Sequence, residues 1–116
     1  MRQASVQILS AASDSSETGL AFNVAQAVSA TFQTVGTNAD EAGTLKIQGS
    51  NDVITNGAAP TNWSDITDAT STIASGAGPM IVIATMSYVY VRAVFTRSGG
   101  GASNKLINVQ MNYLSL

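Results

Sequence analysis

Cysteine and histidine are both missing from this chain of 116 residues. Without cysteine there is no disulfide framework and no thiolate metal site. That absence fits a reducing compartment of synthesis or assembly. Without histidine the chain lacks the commonest general base, the commonest metal ligand and any Ser-His-Asp triad. Charge is scarce as well: 10% of residues are charged, against about 25% in an average soluble domain. Arg2, Lys46, Arg92, Arg97 and Lys105 are scattered and the net charge is −2. A nucleic-acid binder concentrates basic residues in a patch, so that class is not expected. No run approaches the roughly 18 apolar residues of a membrane helix. The first residues do not show the charged-then-apolar order of a cleaved signal peptide. A soluble protein with no membrane partner is therefore expected. Neither Gly-x-Ser-x-Gly nor a Walker A loop occurs, and nothing implies a cofactor or a catalytic site.

Serine, threonine, asparagine, glycine and alanine take the place of the missing charge, while the apolar share, 45%, is ordinary. One reading is a Thr/Ser-rich all-β domain. A second is a surface largely covered by other protein, because interface cores are depleted in charge. The second reading predicts a homo-oligomer. At this length one domain spanning residues 1–116 is expected, with a folded surface of roughly 6,000 Å².

Hydrophobic alternation with a period of two recurs along the chain, the mark of half-buried strands. Val6 and Ile8 share one face of a first strand at 5–10. Leu20, Phe22 and Val24 share one face of a second at 19–24, and a turn near Gln26 leads to a third at 28–35. Leu45 and Ile47 alternate with Thr44, Lys46 and Gln48 in a fourth at 43–49, where Gly49-Ser-Asn-Asp52 then turns the chain. A fifth strand is placed at 63–67, a short edge strand at 70–74, and a sixth strand at 80–85 after Pro79. Residues 88–97 form the seventh, the Gly-rich stretch 98–103 a hairpin connection, and residues 105–114 the last strand. About eight short strands at spacings near ten residues predict an antiparallel β-sandwich or jelly-roll-like domain. The expected core is Leu20, Phe22, Phe32, Leu45, Ile47, Trp63, Val89, Val91, Phe95, Val109 and Met111.

Few residues offer chemistry. Asp52, Asp65 and Asp68 are the carboxylates that loops could gather; they suit a calcium site or an acid–base pair, but each also suits a solvated turn, which is the preferred reading. Trp63 has two readings: a ring entering the core, or a platform on which a sugar stacks. If Val89, Val91, Ala93 and Phe95 face inward, Tyr88, Tyr90, Arg92 and Val94 share the opposite face, and Tyr and Arg are enriched in interface hot spots. Partner-binding candidates are therefore Tyr88, Tyr90 and Arg92, with Val53 and Ile54 in the long 51–61 loop, and Leu114 and Leu116 in the apolar tail. The arm at residues 1–4 is a further candidate.

Taken together, Thr31-Phe-Gln33, Gly43-Thr-Leu-Lys-Ile-Gln-Gly-Ser-Asn-Asp52, Asn62-Trp-Ser-Asp-Ile66 and Tyr88-Val-Tyr-Val-Arg92, then a Gly-rich turn and a closing strand, make a familiar order. It resembles small β-sandwich virion structural proteins of tailed bacteriophages, from about Val6 to Tyr113. In that pattern the Trp follows Ser-Asn-Asp closely; here residues 53–61 intervene. The order is also similar to discoidin-type carbohydrate- and lipid-binding domains, which are longer and whose binding loops have no match here. The phage resemblance implies a non-enzymatic protein located in the virion and assembled in the bacterial cytoplasm. Its partners would be major capsid or tail proteins. A capsid decoration (cement) protein is the leading form, with a tail, baseplate or fibre-associated accessory protein or a carbohydrate-binding module as alternatives.

Overall fold

The computed structural model describes residues 1–12, 16–36, 42–53, 57–74, 77–99 and 106–116. Two antiparallel sheets pack face to face around a core of aliphatic side chains, Phe32 and Phe95. The strands are β1 (Arg2–Ala12), β2 (Glu17–Thr18), β3 (Phe22–Asn23), β4 (Ala27–Gly36), β5 (Ala42–Ser50), β6 (Ser64–Ile73), β7 (Ile81–Ile83), β8 (Tyr90–Gly99) and β9 (Leu106–Ser115). The first sheet runs β1-β9-β4-β7 and the second β2-β8-β5-β6, with β3 also on β8. Because Thr18 pairs with Val94 and Phe22 with Val91, β2 and β3 are two halves of one interrupted strand. Counting them once leaves eight strands. Every connection then crosses from one sheet to the other except β5–β6, which is the jelly-roll path. The folded surface is 6,295 Å².

Alternation explains the sandwich. On β5, Gly43, Leu45, Ile47 and Gly49 point inward; on β8, Val91, Ala93 and Phe95; on β4, Ala30, Phe32 and Thr34; on β9, Ile107, Val109 and Met111. The two β5 glycines are needed there. A Cβ on Gly43 would meet the Phe95 ring, and one on Gly49 would fall into the Tyr88 ring. Each glycine therefore provides a bare patch of backbone against which an aromatic ring closes the core.

Several expectations change. The segments at 63–67 and 70–74 are one strand, β6, broken in register: Lys46 faces Thr70 but Gln48 faces Asp65, so extra residues bulge from β6. Asp68 sits in that bulge at φ 63°, a left-handed conformation that few side chains adopt. The sixth strand shortens to Ile81–Ile83. Leu20 is 78% exposed. Gly19 lays its backbone against Ile8 and donates its N–H to the Ala93 carbonyl, after which the register with β8 slips by one residue before Phe22 pairs with Val91. The alternation that begins again at Phe22 thus starts after Leu20 has turned outward.

Candidate interaction surfaces

The Gly-Ser-Asn-Asp turn is a hydrogen-bonding device at one end of the sandwich. Ser50 Oγ accepts the Asp52 N–H at 3.2 Å, and Asn51 Oδ1 accepts the Val89 N–H at 3.0 Å, tying β5 to the start of β8. The Asp52 carboxylate accepts the N–H groups of Thr61 (2.7 Å) and Asn62 (2.9 Å) and the Asn62 side-chain amide (2.9 Å). Those bonds, led by the Asn62 backbone N–H, hold the Asp52 carboxyl below the ordinary aspartate value of 3.8. The carboxylate thus spans the 53–61 insertion, joining its two ends.

Trp63 emerges from that closure onto the outward face of the second sheet, not into the core. Its Nε1–H bonds the Pro60 carbonyl at 3.1 Å, and the Arg92 guanidinium lies over its ring, 4.3 Å from the centroid. Arg92 Nε donates to Gln48 Oε1 at 2.8 Å, and Gln48 Nε2 donates to Asp65 Oδ1 at 2.9 Å. Lys46 Nζ reaches Asp65 Oδ2 at 3.2 Å. The Gln48 bond, then Lys46, holds the Asp65 carboxyl below its ordinary range, while burial lowers the Arg92 guanidinium. Asp52 and Asp65 are therefore each engaged in separate local networks. Among the described residues no group of three or more acidic side chains gathers into a metal site.

The Tyr88/Tyr90/Arg92 set divides. Tyr90 and Arg92 stay on the outward face, half-buried, but Tyr88 lies against Gly49, whose missing side chain would point inward beside Val91. β8 begins only at Tyr90, so the alternation assumed across 88–92 is broken by the Val89 bonds to Ser50 and Val24. Ile54 lies outside the described residues. Val53 is 90% exposed, Leu116 is 81% exposed, and Leu114 is half-buried on the outward face of the first sheet.

These positions share one end of the molecule. There β5 finishes beside the start of β8, Val24 N–H bonds the Val89 carbonyl, and the 25–26 turn feeds β4. β4 starts beside the end of β9, where Leu116 N–H bonds the Gln26 carbonyl, and β9 ends beside Arg2. Met1, Val53 and Leu116, distant in sequence, are thus exposed apolar residues at the same end.

A further surface comes together only through strand pairing, although alternation along the last strand already turns Asn108, Gln110 and Asn112 outward. The outward face of the first sheet carries rows of amides and hydroxyls. Gln7, Gln110 and Gln33 stand abreast on β1, β9 and β4; Ser5, Asn112 and Thr31 form the next row; Ser10, Asn108 and Val35 flank the other side. Val82 of β7 extends the Thr31 row. Among the described residues, Arg2 is the one charged residue in this sheet's strands, whereas the second sheet's strands carry Glu17, Lys46, Asp65, Asp68, Arg92 and Arg97.

No family model matches the chain, and no curated protein matches it. Among solved structures it is similar to the SPBc2 prophage-derived protein YomS. The TM-score is 0.59 at 13% identity, over 98% of this chain and 94% of that one. The two share a fold along nearly their whole lengths.

Proposed function

We propose that this chain is a structural component of a bacteriophage virion: a decoration protein that binds the capsid shell and stabilises it without turning over a substrate. The observation that carries the reading is the fold shared over nearly the full length with a prophage-derived protein. A jelly roll alone hosts many functions, so the residues must speak too. The sequence order of motifs points the same way, and the lack of histidine and cysteine leaves little acid–base or nucleophilic chemistry. The shell contact is assigned to the end bearing Met1, Val53 and Leu116, where exposed apolar side chains gather. Binding there adds interface area across neighbouring shell subunits, a modest gain per copy that is multiplied over the lattice. The carbohydrate-binding alternative is weakened, because Arg92 covers one face of the Trp63 ring.

The test is a phage carrying this gene, with and without it. Purified wild-type particles are expected to contain the protein at their capsid surface by mass spectrometry and immunogold labelling. Particles lacking it are expected to assemble but to release DNA at lower temperature or under milder osmotic shock. Equal robustness with failed adsorption to cells supports the tail-accessory alternative instead, and absence of the protein from purified particles defeats both.

A further inference from the structure

We infer that the outward face of the first sheet is a self-association surface, on which a second copy of the chain packs sheet to sheet. This goes beyond the virion reading and does not depend on it, since the shell contact is assigned to the end of the sandwich and this contact to a broad face.

Charge is the first argument. A charge near the axis of a two-fold self-contact meets its own like charge, and a charge farther out needs an opposite one at the symmetry-related position. Among the described residues this face has no charge to bring: Gln7, Gln110, Gln33, Ser5, Asn112 and Thr31 fill its two central rows. The sheet on the opposite side, with Lys46, Asp65 and Arg92 facing out, offers no such uncharged field. Each amide both donates and accepts, so a field of amides complements itself. The face already shows such pairing within one copy, where Gln7 Nε2 donates to Asn108 Oδ1 at 2.7 Å. Asn112 Oδ1, in the middle strand, is shielded from solvent with no hydrogen-bond partner among the described residues. Partnerless buried acceptors are uncommon.

Shape and area are the second. Val35, Val82 and Met80 are exposed along the β4–β7 side and add an apolar margin to the amide field. Shallow hollows of about 190 to 320 Å³ lie along the face, lined by Gln33, Gln110 and their neighbours, and can receive side chains from a facing copy. Three strands of ten or eleven residues make up most of it. At roughly 4.8 Å between strands and 3.3 Å per residue they cover on the order of 500 Å² per copy. Two copies then bury about 1,000 Å² in total, the lower bound for a specific interface. At this lower bound of area the dimer is expected to be weak, visible only as concentration rises.

The experiment is sedimentation equilibrium on the full chain from about 1 to 300 μM, with circular dichroism confirming the fold of each variant. Wild type is expected to pass from monomer to dimer. Gln110→Lys and Gln110→Glu, each placing a charge in the central row, are expected to weaken the dimer by about a hundredfold or more. An equimolar mixture of the two is expected to dimerise again, because opposite charges then meet. Gln33→Lys, on an exposed position one strand away, serves if a Gln110 variant fails to fold. Thr96→Lys, on the second sheet, is expected to leave the dimer unchanged. Wild type that stays monomeric at 300 μM, or a dimer indifferent to both Gln110→Lys and Gln33→Lys, overturns the inference. A dimer in solution from a protein absent from particles would sink the virion reading and leave this one standing; a monomer present in particles would do the reverse.

Discussion

Arg92 covers Trp63: its guanidinium carbon lies 4.3 Å from the centre of the indole, and its Nε is held by Gln48. The stack fastens the residues after the long loop to the start of β8. A half-buried cation–π contact of this kind contributes about 0.5–2 kcal/mol. Arg92→Ala, Trp63→Leu and the double variant, unfolded in urea, are expected to show a coupling energy within that range. Trp63 is the sole tryptophan, so its emission reports the stack directly. Additive single effects would mean the contact contributes nothing.

Gly49 and Tyr88 form a second interlocked pair. Gly49→Ala drives a methyl group into the Tyr88 ring and is expected to destabilise by about 1–3 kcal/mol, as overpacking does. Shrinking the ring with Tyr88→Ala makes room. The double variant should therefore lose less than the sum of the two singles; a full sum in denaturant titrations contradicts the packing described.

Core and surface positions of similar hydrophobicity should separate cleanly. Phe32 and Phe95 are fully buried between the sheets, so Phe32→Ala or Phe95→Ala should cost about 3–5 kcal/mol. Leu20 points into solvent, and Leu20→Ala should stay within about 0.5 kcal/mol. Thermal unfolding of the three variants against wild type decides it.

Acid stability should depend on Asp52. Its carboxyl is more acidic in the folded chain than in the unfolded one, so the unfolded state takes up the proton first. The stabilisation is therefore fully present above the ordinary value of 3.8 and is lost as pH falls below it, through the folded value. Asp52→Ala should unfold at lower temperature than wild type at pH 7, with the gap narrowing between about pH 4 and pH 2. Amide exchange at Thr61 and Asn62 should quicken in the variant at neutral pH. An unchanged gap at pH 2 would assign the loss to packing instead of ionisation.

Much of this architecture is legible in the linear chain. The period-two runs around Phe32, Leu45, Val91 and Val109 place those residues in the core, because alternation on a strand is local and survives any tertiary arrangement. The Ser-Asn-Asp turn is likewise local chemistry, read from residue types that bond nearby backbone. Alternation failed where strands are interrupted. Leu20 faces out because the register with β8 slips by one residue between Gly19 and Phe22, and Tyr88 faces in because β8 starts two residues later than its apolar run. Period-two placement puts Trp63 in the core, but the pairing of Gln48 with Asp65 across the β6 bulge puts its side of the chain outward, under Arg92. The uncharged face was beyond reach of sequence reasoning for a different reason. Gln7, Gln33 and Gln110 stand abreast only because the jelly-roll path returns β9 between β1 and β4. Which side chains alternate is decided between neighbours in the chain; which faces they build together is decided by strand pairings that close across a hundred residues.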